Sequence, residues 1–304
     1  MLKAVGYHLR GTVSVLGYFF NTVFWFIPIF ILSLLKLPPV QWWRRIVSYP
    51  LDACATAWIT VNNLNQRLLS RTRWSVNGIN SLAPDDWYLV IANHQSWVDI
   101  LVLQRIFNRK IPFLKFFLKQ ELIWVPVLGL AWWALDFPFM RRYSKSFLAK
   151  NPHLKGKDME TTRKACEKFK SKPVSIMNFV EGTRFTKSKH DRQASPFTHL
   201  LKPKAGGVAF VLSAMGEQLH KLIDVTIDYP AGVPSYWDFV CGKVKEIRVN
   251  VSVMPIKDIV QGGFFNDTYF TDPAQKARFQ QWLNERWQQK DQHLAALNST
   301  QAPL

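Results

Sequence analysis

The chain has 304 residues, is 48% hydrophobic and 14% aromatic, and carries 39 Lys plus Arg against 21 Asp plus Glu, a formal net charge of +18. That length supports a full core, as one large domain or a domain with an appendage, and the charge predicts attraction to anions: nucleic acid, acidic lipid surfaces or phosphorylated substrates. The three cysteines (Cys54, Cys166 and Cys241) are far apart and odd in number, which excludes a disulfide framework and fits a reduced compartment. The seven histidines show neither H-E-x-x-H nor Cys/His spacing, so no metal site is expected.

From the N-terminus, residues 11–35 form an uncharged stretch between Arg10 and Lys36, rich in Phe, Val, Ile and Leu. About 20 such residues suffice to cross a bilayer's hydrocarbon region. The run is too long for a signal-peptide core and has no small-x-small cleavage site before Lys36, so it reads as a retained membrane helix. Pro28 leaves a kinked, re-entrant hairpin open. The cluster Lys36, Arg44 and Arg45 outweighs Lys3 and Arg10, which places the C-terminal side of the segment in the cytoplasm. Thirteen Trp and 22 Phe are many for a soluble enzyme of this size, and Trp favours membrane interfaces.

Residues 46–69 repeat Cys54, Ala57, Trp58, Val61, Leu64 and Leu68 at steps of three and four, opposed by Asn62, Asn63, Asn65, Gln66 and Arg67. This is an amphipathic helix, lying in a headgroup layer or packed on the globular part. The expected organisation is therefore membrane-anchoring helices over 1–70 and an α/β domain over 71–304. Within that domain, strands are expected at 74–77, 87–92, 111–116, 136–140, 174–180, 221–229 and 246–254. Helices are expected at 97–107, 127–134, 157–171, 206–215 and 273–293. The alternation argues for a mixed central sheet flanked by helices. Segments 151–158 and 187–196 are polar and basic, and read as exposed loops.

Two stretches carry chemistry. Asn93-His94-Gln95-Ser96-Trp97-Val98-Asp99 follows the strand-like run 87–92, so His94 falls at a strand's carboxyl end and Asp99 in the next helix's first turn. A loop between them lets the carboxylate fold back onto one imidazole nitrogen and leaves the other as a base toward substrate. Glu181-Gly182-Thr183-Arg184 follows the strand-like run 174–180. Gly182 permits a tight turn there, Arg184 offers a planar fork suited to phosphate, and Glu181 would hold Arg184 or Thr183 in place. Arg141 and the pair Lys202 and Lys204, before Gly206-Gly207, are further candidate anion contacts. The aromatics Phe113, Phe116, Phe117, Trp124, Trp132, Trp133, Phe137 and Phe139 are either core and membrane-facing surface or the wall of a pocket for a hydrocarbon chain.

These residues resemble the glycerophospholipid acyltransferase family, whose 1-acylglycerol-3-phosphate acyltransferases carry N-H-x4-D and E-G-T-R blocks. The likeness spans roughly 85 to 295. Phe139-Met140-Arg141 fits the second block. Ile223-Asp224-Val225-Thr226-Ile227-Asp228-Tyr229-Pro230 stands at the fourth, in the version of a branch that includes lysophospholipid acceptors. The resemblance implies that His94 is the general base on the acceptor hydroxyl and that Asp99 orients it. Arg184, in the turn shaped by Glu181, Gly182 and Thr183, would hold the acceptor phosphate, with Arg141 as a second candidate. The implied reaction moves an acyl group from acyl-CoA or acyl carrier protein to the free sn-2 hydroxyl of 1-acylglycerol-3-phosphate, or of a headgroup-bearing lysolipid, at the bacterial inner membrane on its cytoplasmic side. It needs no cofactor beyond the acyl thioester. The expected partners are a lysophospholipid and the thioester, not nucleic acid, since no reader motif is present. A lipid hydrolase would want a G-x-S-x-G serine, which the chain lacks.

Overall fold

The fold is taken from a computed structural model that describes residues 2–126, 128–140 and 172–299. Two long helices come first, α1 (Leu2–Leu35) and α2 (Gln41–Leu69). Arg73–Asn77 (β1), Tyr88–Ala92 (β2), Val98–Phe107 (α3), Leu114–Phe116 (β3) and Leu118–Lys119 (β4) follow, then Leu128–Ala134 (α4) and Phe139–Met140 (β5). After residue 171 come Ser175–Phe179 (β6), Lys187–Gln193 (α5), Ala205–Met215 (α6), Lys221–Asp228 (β7), Tyr236–Val240 (α7), Glu246–Pro255 (β8), Ile256–Gln261 (α8) and Pro273–Ser299 (α9). The helix expected at 157–171 and the loop at 151–158 lie outside the described residues, as does Arg141.

Six strands form one sheet in the order β1-β8-β7-β2-β6-β3, and only the β7–β8 pairing is antiparallel. In β2 every residue is buried: Leu89 and Ile91 join a core with α6 and α9, while Tyr88, Val90 and Ala92 join a second core with α3. A strand covered on both faces needs such a continuous apolar run. Because β7, β2 and β6 are neighbouring parallel strands, the loops after their carboxyl ends converge on one edge, where such sheets bind ligands.

The helix α1 runs unbroken through Pro28, so the hairpin left open by the sequence does not form. Its inward face rests on the rest of the protein near both ends. Toward the N-terminus His8 stacks on Trp237, and Gly11 sits so close to Cys241 that an added Cβ would lie 2.5 Å from Sγ. At the other end Ile29 packs in a cluster with Leu135 and Phe137, and Lys36 pairs with Asp136. The opposite face (Leu9, Leu16, Phe20, Phe24, Ile27, Ile31) is exposed.

In α2 the apolar stripe faces outward and is not the face packed on the rest of the protein. Val61, Leu64 and Leu68 are exposed, whereas Asn62 and Gln66 are buried against α1. Asn21 donates to Asn62 Oδ1 at 2.8 Å, Asn65 to the Ser14 carbonyl at 2.9 Å and Gln66 to the Tyr18 hydroxyl at 2.8 Å. Polar groups inside and apolar groups outside are the arrangement of helices that meet lipid, where side-chain hydrogen bonds join the pair. Five of the eight aromatics singled out above (Phe113, Phe116, Trp132, Trp133 and Phe137) pack with Ile29, Val47 and Leu51 of this pair. Trp124 is instead 85% exposed.

Candidate active site

The loop after β2 is fixed before its chemistry begins. The Asn93 amide accepts from the Ile227 N–H at 2.8 Å and donates to the Ile227 carbonyl at 2.9 Å, locking the loop to β7. His94 comes next, stacked on Phe179 with centroids 3.9 Å apart. Its Nδ1 lies 2.9 Å from Asp99 Oδ2, and the Asp99 side chain is fully buried. The same oxygen accepts from the Gln95 and Ser96 amides at 2.6 and 2.9 Å, and Oδ1 accepts from the Tyr229 hydroxyl at 2.6 Å. Asp99 therefore ties down the loop before its own helix and orients the imidazole with one group. With Nδ1 donating to the carboxylate, Nε2 carries a lone pair and has no hydrogen-bond partner among the described residues. This is the geometry of a general base.

The turn after β6 faces the same edge. Gly182 has φ +73°, a conformation that glycine adopts without strain. The Arg184 guanidinium lies over the Trp97 ring at 4.5 Å, which holds its plane and leaves its N–H edge for an anion. Thr183 accepts from Lys189 at 2.8 Å, and Lys189 also donates to the Arg184 carbonyl at 2.9 Å. Lys204 sits beside the turn, its Nζ 3.3 Å from where a Gly182 Cβ would be. Lys202 is elsewhere, bordering an open groove against Gln281 and Glu285 of α9.

Glu181 differs from expectation. Its carboxylate is fully buried, turned away from Thr183 and Arg184, and accepts from the His94 amide and the Leu201 amide, both at 3.1 Å. It is a strut between the two loops rather than an anion contact. Burial pushes its carboxyl up to about 8. Behind it the Lys290 ammonium donates to Asp224 and to the Val225 carbonyl, both at 2.5 Å, and burial pushes that amine down.

Ser96 is no nucleophile in this arrangement, because its hydroxyl donates to the Pro234 carbonyl at 2.7 Å. Sequence reasoning did not reach Tyr229, Trp97, Phe179 or Lys189. Tyr229 stood in the quoted fourth stretch, but a contact to Asp99 across 130 positions leaves no local signal.

Comparison with known proteins shows the family and the fold. Lysocardiolipin acyltransferase 1 of Gallus gallus is 24% identical over 296 residues, covering 92% of this chain and 70% of that protein. The 1-acyl-sn-glycerol-3-phosphate acyltransferase gamma of Mus musculus is 24% identical over 216 residues, covering 67% of this chain and 51% of the relative. In fold, the chain resembles the crystal structure of the 1-acyl-sn-glycerophosphate acyltransferase PlsC from Thermotoga maritima. The TM-score is 0.53 at 16% identity, over 95% of this chain and 98% of that one. The family described as Acyltransferase matches residues 73–232, more than half of the sequence and the whole span from β1 to the loop after β7, and the chain belongs to that family of O-acyltransferases.

Proposed function

We propose that the protein transfers a fatty acyl group from an acyl thioester, acyl-CoA or acyl carrier protein, to the sn-2 hydroxyl of 1-acylglycerol-3-phosphate. The observation that carries this reading is the His94–Asp99 pair on the same sheet edge as Arg184. His94 Nε2 takes the hydroxyl proton as the acceptor oxygen attacks the thioester carbonyl. The tetrahedral adduct then expels the thiolate, which takes the proton back from the imidazolium, so ester and thiol leave and the base is regenerated. Asp99 stabilises the transient imidazolium. Arg184 holds the acceptor phosphate by its free edge, in a turn made possible by Gly182 and backed by Thr183; Arg141 remains a second candidate for that phosphate. Lys204 supplies further positive charge for an anionic donor.

A headgroup-bearing lysolipid is the alternative acceptor, favoured by the longer coverage of the lysocardiolipin acyltransferase. Access to either lipid comes from α1 and α2. Contact of α1 with the α/β body near both ends favours burial of the outward apolar face in one leaflet. The use of a thioester donor and the basic cluster after α1 support a site on the cytoplasmic side of the bacterial inner membrane. We infer no nucleic-acid partner. The division into anchoring helices over 1–70 and an acyltransferase domain over 71–304 follows the same reading.

Purified, detergent-held protein assayed with labelled oleoyl-CoA or oleoyl carrier protein against a set of lysolipids tests this directly. The reading expects ester product from lysophosphatidate, or from lysocardiolipin if the alternative holds. Release of free fatty acid with no acylated lipid would contradict it.

A further inference from the structure

Tyr229 stands directly after β7, with its ring buried and its hydroxyl 2.6 Å from Asp99 Oδ1. The two carboxylate oxygens are served very differently. Oδ2 carries the imidazole and two backbone amides, whereas Oδ1 accepts from the tyrosine, which reaches it from the loop after β7. The bond is held in register on both sides. Before it, Asn93 and Gln95 grip the backbone of Ile227, and after it Ser96 grips the carbonyl of Pro234.

We propose that Tyr229 is a positioning residue for the acyl-transfer base: its hydroxyl pins one oxygen of Asp99 so that the other stays aimed at His94. The inference rests on His94 acting as that base. Without this donor, a buried oxygen loses its hydrogen bond, which is costly, and the carboxylate gains freedom to turn about Cβ–Cγ. The hydroxyl also draws charge away from Oδ2. Its removal concentrates negative charge beside the imidazole and favours the imidazolium. Burial, and next the Asp99 charge, hold the phenol well above its ordinary value, so it remains a donor through neutral pH. Among the described residues, Glu181 after β6 also acts on Asp99, with Lys290 of α9 behind it; Arg184 stands in the same turn as Glu181, over Trp97.

The test is the pH profile of oleoyl transfer to lysophosphatidate by Tyr229→Phe and by protein with 3-fluorotyrosine at position 229. The phenylalanine variant should lose about tenfold in kcat with KM little changed. Its acidic limb should move to higher pH by roughly half a unit. Fluorination strengthens the donor without altering the packing, and should move that limb the other way. Acidic limbs that superpose on the parent's in both proteins overturn the proposal, whatever the total activity. If Tyr229→Phe does not fold, the isosteric fluorinated protein decides alone. His94→Ala separates the two ideas: activity surviving there defeats the base assignment, whereas a dead His94→Ala with unmoved limbs defeats only the role of Tyr229.

Discussion

Each charged group at this site has one direction imposed by its neighbours. The Arg184 plane is set by Trp97, which is 58% exposed. A cation–π contact at such a place contributes about 0.5–1 kcal/mol. Trp97→Ala should therefore raise KM for lysophosphatidate about two- to fivefold while changing kcat less. Steady-state kinetics on the purified variant check this, and an unchanged KM would remove Trp97 from the phosphate contact. Glu181 is set by its two amides and by burial, which raises its carboxyl from 4.5 to about 8. The folded state then holds a proton that the unfolded chain releases above pH 4.5. The contribution of Glu181 to stability is thus greatest at low pH, falls between 4.5 and about 8, and levels off above. The slope reaches at most about 1.4 kcal/mol per pH unit. Denaturant unfolding across that window should show the fall in the parent and a flatter curve in Glu181→Gln; parallel curves would contradict it.

At the scale of elements, legibility followed the physics that drives each one. Each of the seven expected stretches holds a strand, although only 114–116 of 111–116 and 139–140 of 136–140 are extended; the central ones were legible because strands buried on both faces are short apolar runs, as 88–92 and 175–179 are. Both chemical blocks were readable, since each follows such a run. The helix at Lys187–Gln193 was not, because its sequence KSKHDRQ has no apolar face; it is held by the Thr186 hydroxyl accepting from the Lys189 amide. The period of α2 was legible but its orientation was not. Sequence periodicity identifies an apolar stripe without saying whether core or lipid covers it, and here Asn62 and Gln66 face inward. Likewise the acidity of Glu181 was visible, but not the direction in which its side chain points. The outward stripe of α1 gives a direct prediction. Phe20→Glu with Phe24→Glu places two charges on that face, each opposing its burial in lipid. The double variant should shift from the membrane pellet toward the soluble fraction with its α/β body folded. Unchanged pelleting would show that this face does not meet lipid.

Across the whole molecule, a sheet edge built from three parallel strand ends is joined to a helix pair whose outer surface is apolar. The net charge of +18 suits anionic substrates at such a boundary. A lysolipid acceptor would arrive from the bilayer and a polar thioester from water, and the base must sit where both reach it. That base is the centre of the account, and a single comparison tests it: oleoyl transfer to lysophosphatidate by His94→Ala and by the parent, at matched folding and membrane recovery. Loss of a general base typically costs about 10²- to 10⁴-fold, so the variant should fall by at least that much while thermal unfolding and fractionation match the parent. Turnover within a few-fold of the parent's would contradict it.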